Sequence, residues 1–208
     1  MNGVKRLILA SESPRRKELL KQMGAVFEAI TSNYDERLDD ERSVDEVVCE
    51  LALGKAEAVA KQYPDAFVIG SDTVVVLDGR QLGKQSDEDA ARLLLRELSG
   101  RTTEVITAVA VVCPARNVRE VRKERAAVTF HPYGDGAIEN YLKSDDWRDK
   151  AAAIAVQSPD TPPIQSIEGS YDTILGFATK PLAEMLRPHG FTLEPVTLRP
   201  PYVAAKQP

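Results

Sequence analysis

The chain has 208 residues, of which 43% are hydrophobic and 28% are charged. This composition is typical of a globular protein with a substantial core, and the length suits one large domain or two small ones. The formal net charge of -5 argues against a general nucleic-acid-binding surface, so a local cluster of basic residues needs a local explanation.

Nothing in the sequence indicates export, membrane insertion or a cysteine scaffold. There is no charged-then-apolar leader and no apolar run close to the roughly 18 residues of a membrane span, so we expect a cytoplasmic protein. The two cysteines, Cys49 and Cys113, lie far apart in apolar surroundings. They provide neither a disulfide framework nor the spacing of a zinc site.

The first predicted elements are a short buried strand over residues 7–10 and a helix over residues 14–23. Ser13 is a good N-cap, and Pro14 suits the first helical position because its missing N–H would be unpaired there. Gly24 suits the end of this helix.

The first turn of this helix carries an unusual charge. Arg15, Arg16 and Lys17 lie where the helix dipole already has partial positive charge, and each cation costs roughly 0.3–1 kcal/mol there. An anion bound against the exposed N–H groups, with the arginines closing over it, would offset that cost. The alternative is a solvated and mildly unfavourable surface turn.

The whole pattern predicts one mixed-sheet α/β domain over residues 1–198 and a loose tail over residues 199–208, which contains three prolines. Ser86, with Asp89 three residues later, resembles a capping box for the third helix. We interpret residues 147–157 as a loop that enters a strand. The other predicted strands are 7–10, 26–30, 66–69, 74–77, 102–112 and 120–130, with a hairpin turn at 78–79, and the predicted helices are 14–23, 43–63, 87–98, 136–143 and 181–186.

Asp72 lies inside an apolar run of about nine residues, where an ionised carboxylate is costly unless it is paired or coordinated. One interpretation is a metal ligand or general base that projects from the end of a rigid strand. The alternative is a turn residue at a sheet edge, within a break at residues 70–73. Glu36 could supply a second carboxylate, although on its own it is typical of a loop surface.

Lys55 and Lys84 are two further candidate cations. If the fold brings them into one cavity with the two arginines and the two carboxylates, the site meets the demands of phosphoanhydride hydrolysis. The cations would face phosphate oxygens, and the carboxylates would serve a divalent metal and an attacking water. Each lysine alone is more often a solvated surface residue.

The familiar phosphate-binding and hydrolase motifs are absent from the sequence. It contains neither GxxxxGK(S/T) nor GxGxxG, and it has no GxSxG. His131 and His189 have no partners at metal-binding spacing, so we interpret both as structural or surface residues.

Six segments, in order between residues 7 and 186, resemble the motifs of the Maf family of nucleoside triphosphate pyrophosphatases. Any one of them alone would be weak, but together they are highly specific. They are Ser11-x-Ser13-Pro14-Arg15-Arg16-x-Glu18-Leu19-Leu20, Gly70-Ser71-Asp72-Thr73-Val74, Leu82-Gly83-Lys84, Leu98-Ser99-Gly100-Arg101-Thr102, Trp147-Arg148-Asp149-Lys150-Ala151 and Gly169-Ser170-Tyr171.

The resemblance implies a fold like that of the inosine triphosphate pyrophosphatases, with a long mixed β-sheet, flanking helices and a cleft between two lobes. It implies hydrolysis of a nucleoside triphosphate between the α- and β-phosphates, which yields the monophosphate and pyrophosphate. It also implies a divalent metal, Mg2+ or Mn2+, and a homodimer.

The resemblance further implies roles for individual residues. Asp72 matches the catalytic base, and Asp72 and Glu36 match the carboxylates of the metal site. The implied substrate-binding residues are the cations Arg15, Arg16, Lys55 and Lys84 and the polar residues Ser11, Ser13, Thr73 and Gln157.

Three positions separate the branches of the family. Arg15 after the proline, Thr73 after the aspartate, and Gln157 resemble the branch that acts on dTTP and UTP. The branch that acts on 7-methyl-GTP would have an aromatic residue, Gln and Glu at these places. Gln157 offers both a donor and an acceptor to a pyrimidine edge.

The chain departs from the family pattern mainly where the base would be recognised. Glu12 stands where the family often has Gly, beside the predicted phosphate site. Ala152 replaces a usual Gly and Ile154 a usual aromatic residue, while residues 158–163 replace a glycine-rich turn and residues 177–178 replace Leu-Pro. These departures bear on substrate preference more than on the reaction, because the phosphate-side motifs are intact.

Two other functions are weighed against the enzyme. A nucleotide-binding regulator of cell division, with weak or no catalysis, would fit the family's link to inhibition of septum formation. A protein–protein module without a ligand would leave the cationic helix start and the aspartate in the apolar run unexplained.

Overall fold

The computed structural model describes residues 5–35, 42–148 and 150–200. The strands within these residues are β1 (Leu7–Leu9), β2 (Glu28–Ala29), β3 (Phe67–Leu77), β4 (Arg80–Leu82), β5 (Thr102–Cys113), β6 (Val118–Phe130) and β7 (Ile164–Glu168). They form one sheet in the order β2-β1-β3-β5-β6-β7, and β4 pairs with the second half of β3. β1 is parallel to β2 and β3, and the other pairs are antiparallel.

Helices flank this sheet on both faces. They are α1 (Pro14–Gln22), α2 (Val44–Ala60), α3 (Glu88–Leu98), α4 (Asp135–Leu142), α5 (Tyr171–Ile174) and α6 (Thr179–Leu186), with short 3-10 turns at Pro114–Arg116, Ala151–Ala153 and Arg187–His189. Among the described residues, no helix is both long and apolar enough to cross a membrane.

The first half of β3 is buried between helices on its two faces. Side chains alternate along a strand, so successive residues of β3 enter different cores. Val68 and Val74 pack in the core beneath α2, whereas Ile69 packs with α1 and α6 on the opposite face. This alternation decides which helix each polar residue of β3 can reach.

A second group of helices, α3 and α4, packs near the C-terminal ends of β3 and β6 and the N-terminal end of β5. Leu98 of α3 packs against Leu77 and Val105 of the sheet. Behind them, Tyr141 and Trp147 are buried in a core shared by α3, α4 and the turn Ala151–Ala153. The middle of β3 therefore lies between two separately packed groups of elements.

The predicted α/β class with a long mixed sheet is confirmed, and the main helices begin close to their predicted starts. Ser13 caps α1, since its Oγ accepts a hydrogen bond from Arg16 N. Ser43 and Glu46 form a complete capping box at α2. The hairpin turn at residues 78–79 has the expected left-handed backbone, with φ of 48° and 79°.

Two predictions in the middle of the chain are wrong. Residues 70–73 are not a turn but the centre of β3, because they pair continuously with residues 107–110 of β5. The cap of α3 is Asp87 rather than Ser86, since the Asp87 carboxylate accepts a hydrogen bond of 2.8 Å from Ala90 N.

Two strand predictions also differ from the structure. The predicted loop over residues 147–157 does not enter a strand: its described residues after 149 contain no helix or strand except the 3-10 turn Ala151–Ala153, and the last strand, β7, lies beyond the prolines at Ile164–Glu168. The strand predicted over residues 26–30 is reduced to Glu28–Ala29, which are both exposed. Glu36 and residues 201–208 of the predicted tail lie outside the described residues.

Candidate active site at the open edge of β3

Asp72 lies where one edge of β3 has no neighbouring strand among the described residues. β1 pairs with β3 only as far as Ile69, and β4 pairs with it from Val75 onward. Residues 70–74 between them form an open edge, while the opposite edge is covered by β5. A ligand can approach the backbone and side chains of β3 here without disrupting the sheet.

Lys55 and Asp72 form an ion pair at this edge. The Lys55 ammonium donates a 2.7 Å hydrogen bond to Asp72 Oδ1, and the two side chains are only 13% and 11% exposed. Gly70 allows α2 to approach so closely, because a Cβ at Gly70 would lie 2.1 Å from the Ala52 carbonyl oxygen. The pair offsets the cost of burying the Asp72 carboxylate.

The loop before α1 is shaped by its two predicted substrate-binding serines. Ser11 Oγ accepts a 3.2 Å hydrogen bond from Ser13 N, and Ser13 Oγ accepts a 3.5 Å bond from Arg16 N. Both hydroxyls act as acceptors in these bonds, so each keeps its proton for donation to a ligand. The first turn of α1 contains no acidic residue.

Arg16 crosses from α1 to the open edge. Its Nη1 donates a 2.7 Å hydrogen bond to the Ser71 carbonyl, and its Nε donates a 3.0 Å bond to the Gly176 carbonyl. Arg16 therefore ties α1 to β3 and to the loop after α5. These bonds use two of the five N–H donors of a guanidinium.

Arg15 points in a different direction, into a small cavity of about 40 Å3 that is lined with Val75, Val156 and Ile174. Burial lowers the pKa of the Arg15 guanidinium, an effect that Tyr171 partly opposes, but an arginine stays charged at neutral pH. Within the described part of the chain, no carboxylate forms an ion pair with Arg15. A desolvated cation of this kind favours binding of an anion or a carbonyl oxygen.

Lys84 and Gln157 lie on loops that are tied to the same cavity. The Gly83 carbonyl accepts a 3.1 Å hydrogen bond from Ala152 N, which links the Lys84 loop to the turn Ala151–Ala153. Ala152 and Val156 line the Arg15 cavity, and both Lys84 and Gln157 are exposed. Both side chains are therefore at the surface near the mouth of this cavity.

Asp72 and Arg15 lie on opposite faces of β3. Asp72 shares the face of Val74 and α2, whereas the Arg15 cavity includes Val75 and Val105 on the other face. The single cavity expected from the sequence is not the one that Arg15 lines. A ligand that contacts both residues has to cross the open edge at residues 70–74, where the Arg16 guanidinium lies.

The polar residue next to Asp72 faces the Arg15 side of the sheet. Thr73 Oγ1 lies 2.9 Å from Thr107 Oγ1, and Thr107 donates a 2.7 Å hydrogen bond to the Thr173 carbonyl. Sequence reasoning missed Thr107 and Thr173, because threonine in a strand or beside a helix is ordinary. It also missed Gly70, although a glycine inside an apolar strand signals a close backbone approach.

The described residues fit a divalent cation through one carboxylate. Asp72 is an oxygen ligand of the kind that Mg2+ and Mn2+ prefer, and Mg2+ is commonly held by one or two carboxylates together with substrate phosphates. The part of the chain that the structure describes has no group of three potential metal ligands. Glu12, a departure from the family pattern, accepts a 2.6 Å hydrogen bond from Thr31 Oγ1.

A larger cavity of about 400 Å3 lies at the other end of β3, and its lining includes Lys5, Arg6 and Arg116. Two of these cations are already engaged. Arg6 forms a bidentate pair with Glu28 at 2.6 and 2.7 Å, and Lys5 donates a hydrogen bond to the His189 carbonyl. This cavity is therefore a weaker anion site than the start of α1.

The fold and the site together define an α/β protein with a cationic helix start beside a buried lysine–aspartate pair, an arrangement suited to polyphosphate chemistry. The sequence profile described as Maf-like protein matches residues 6–189. The chain therefore belongs to the Maf family.

Several curated relatives are similar over most of the chain. The dTTP/UTP pyrophosphatase of Pelotomaculum thermopropionicum is 40% identical over 190 residues, which cover 91% of this chain and all (100%) of that protein. The dTTP/UTP pyrophosphatase of Halalkalibacterium halodurans is 40% identical, over 91% of this chain and 98% of that protein. Among solved structures, the Staphylococcus aureus Ham1 protein matches with a TM-score of 0.44 at 19% identity, covering 62% of this chain and 75% of that chain.

Proposed function

We propose that this protein is a nucleoside triphosphate pyrophosphatase that hydrolyses dTTP, UTP or a related, including modified, nucleotide to the monophosphate and pyrophosphate. The observation that carries the proposal is the partly buried Arg15 guanidinium, which lines a cavity and forms no ion pair with a carboxylate of the described residues. It stands beside Arg16, whose guanidinium reaches the backbone of Ser71, next to Asp72. Membership of the Maf family and the names of the curated relatives support the same activity.

In the proposed reaction, Asp72 acts as the general base. Its carboxylate accepts a proton from a water whose oxygen attacks the α-phosphorus, and the bond between that phosphorus and the bridging oxygen to the β-phosphate breaks. The Lys55 ammonium, 2.7 Å from Asp72 Oδ1, orients the carboxylate before the water arrives. Pyrophosphate leaves with the bridging oxygen.

Cations at the start of α1 would stabilise the leaving group. Arg15 and Arg16 supply fixed positive charge, and Lys84 extends it at the surface. The N–H groups of the first turn of α1 and the hydroxyls of Ser11 and Ser13 add donors for phosphate oxygens. We place the nucleotide across the open edge of β3, with Thr73 and Gln157 near the base.

A divalent cation, Mg2+ or Mn2+, would be held by Asp72 and Glu36 together with substrate phosphates. When bound, it would neutralise phosphate charge and acidify the attacking water. We further propose a cytoplasmic homodimer, which analytical ultracentrifugation of the full chain tests directly.

The test is a substrate panel with the full-length protein. Release of pyrophosphate is measured from dTTP, UTP, CTP, ATP, GTP, 7-methyl-GTP and 5-modified uridine triphosphates, with Mg2+, Mn2+ or EDTA. We expect dTTP and UTP to be preferred, equal yields of monophosphate and pyrophosphate, and loss of turnover in EDTA. Absence of turnover with every triphosphate and both metals would refute the enzyme, and tight binding without turnover would instead support the regulator.

A further inference from the structure

A line of hydroxyls connects β3 to the first turn of α5. Thr73 and Thr107 are register partners on β3 and β5, and their Oγ1 atoms lie 2.9 Å apart. Thr107 is completely buried, and its Oγ1 is 2.7 Å from the carbonyl oxygen of Thr173.

These contacts fix the direction of every hydrogen bond in the line. A carbonyl oxygen can only accept, so the single hydroxyl proton of Thr107 points to Thr173. Thr107 must then accept from Thr73, which uses the only proton of the Thr73 hydroxyl. The lone pairs of Thr73 Oγ1 are what remain for any further partner.

The far end of the line is also fixed. Thr173 Oγ1 donates a 3.0 Å hydrogen bond to Glu124 Oε2, and Glu124 is the register partner of Thr107 on β6. Thr173 is thus held by both its side chain and its carbonyl. The acceptor that orients Thr107 cannot shift without breaking a second bond.

The Thr73 hydroxyl is approached by a residue that has no side chain. A Cβ at Gly176 would lie 3.1 Å from Thr73 Oγ1 and 3.8 Å from Arg16 Nη2. The glycine therefore leaves space beside the hydroxyl, and Thr73 is partly exposed. The space lies between the open edge of β3 and the loop after α5.

We propose that Thr107 is a positioning residue for base selection, because it holds the Thr73 hydroxyl as an acceptor and so favours a base with an N–H donor. This inference rests on the proposed function. Uracil and thymine present an imide N–H between two carbonyl oxygens, whereas the same ring nitrogen of cytosine is an acceptor. Cytosine would therefore face the lone pairs of Thr73 with lone pairs of its own.

The test compares Thr107→Val with Thr107→Ser. Valine keeps the shape but removes the hydroxyl, so the Thr73 hydroxyl can turn and donate. We expect the preference for UTP over CTP in kcat/KM to fall roughly tenfold, about the value of one hydrogen bond. The change should lie mainly in KM, because contacts to the base are present before the transition state. Serine should retain the preference.

Thr73→Val and Thr73→Ser form the second pair of variants. If Thr107→Val does not fold, this pair tests whether the Thr73 hydroxyl sets the preference for UTP over CTP. Thermal unfolding of all four variants separates folding from selectivity. An unchanged UTP/CTP ratio in both valine variants, with the wild type hydrolysing UTP, would overturn the inference. A wild type without triphosphate hydrolysis would instead overturn the proposed function.

Discussion

The two faces of β3 differ in whether a buried or partly buried cation has a carboxylate partner. On the α2 face, Lys55 is paired with Asp72 at 2.7 Å and both side chains are largely buried. On the other face, Arg15 is partly buried where it lines a cavity, and it forms no ion pair with any described residue. Among the described residues, only the first of these two cations has a carboxylate partner.

This difference suggests two roles for the cations: Lys55 stabilises the folded protein, whereas Arg15 is available to bind a ligand. A buried pair is strongly destabilised when one partner is lost, whereas a buried charge without a partner costs stability while it is present. A site that binds a polyphosphate across the open edge of β3 needs both kinds of charge.

The largest expected effect is on catalysis. Asp72→Asn should reduce turnover of UTP by roughly a thousandfold, because an amide cannot accept the proton of the attacking water. Steady-state release of pyrophosphate measures it, and circular dichroism checks that the fold persists. Asp65→Asn, an exposed aspartate at the other end of β3, should behave like the wild type. Equal turnover in Asp72→Asn would remove Asp72 from the reaction.

The second prediction sets the two cations against each other. Lys55→Met should lower the free energy of unfolding by about 3 kcal/mol, because Asp72 is left buried without its partner. Arg15→Met should raise it by about 1 kcal/mol, because a desolvated cation is removed from a cavity and from a helix N-terminus.

Urea unfolding measures both values, and both variants should lose activity. Lys61→Met, an exposed lysine just after α2, should change stability by less than about 0.5 kcal/mol. A substantial loss of stability in Arg15→Met would mean that Arg15 serves the fold after all.

The third prediction concerns strain beside the Arg15 cavity. Ala152 and Ala153 have φ of 56° and 52°, a left-handed conformation that costs an alanine roughly 1 kcal/mol. Ala152→Gly should therefore raise the free energy of unfolding by about 1 kcal/mol. Ala155→Gly, at a buried alanine without positive φ, should lower it by about as much. Urea unfolding compares the two variants. Destabilisation by Ala152→Gly would show that the packing of the Ala152 methyl group contributes more to stability than the backbone strain costs.

The smallest expected effect depends on pH. Burial raises the pKa of Glu124, and Asp172 and Glu184 raise it further, whereas Thr173 and Lys180 oppose the shift. The folded state therefore binds this proton more tightly than the unfolded state, and stability falls as pH rises from about 4.5 through the raised pKa.

Glu124→Gln should remove this part of the pH dependence. The variant should be more stable than the wild type at pH 7 and lose that advantage at pH 4, as measured by thermal unfolding across this range. Glu168→Gln, an exposed glutamate on β7, serves as the control. A Glu124→Gln variant that is less stable at pH 7 would show that the ionised carboxylate is needed to hold Thr173.

Local sequence chemistry predicted much of the fold, and it failed where pairing across the sheet decides the structure. The start of α2 can be predicted from Ser43 and Glu46 alone, because a capping box involves only neighbouring residues. Residues 70–73 look like a break, since glycine, serine and aspartate favour turns. They remain in β3 because β5 pairs with every one of them, and β5 lies far along the chain.

The candidate site shows the same division. The cost of Asp72 in an apolar run and of cations at a helix start could be recognised from the residues alone. The pairing of Asp72 with Lys55 depends on Gly70, which lets α2 approach the sheet closely. The separation of Asp72 from the Arg15 cavity depends on strand alternation, because Asp72 and the cavity residue Val75 point to opposite faces of β3. The role of Thr107 could not be predicted from the sequence, because it depends on the hydrogen bond that Thr107 donates to the Thr173 carbonyl.

A crystal structure with the non-hydrolysable analogue α,β-imido-dUTP and Mg2+ would show whether one nucleotide reaches both faces of β3. We predict that the nucleotide crosses β3 at residues 70–74, with Arg15 and Asp72 both within contact distance of the same ligand and the base next to Thr73. A nucleotide confined to one face of β3, or bound in the cavity beside Lys5 and Arg116, would contradict the account.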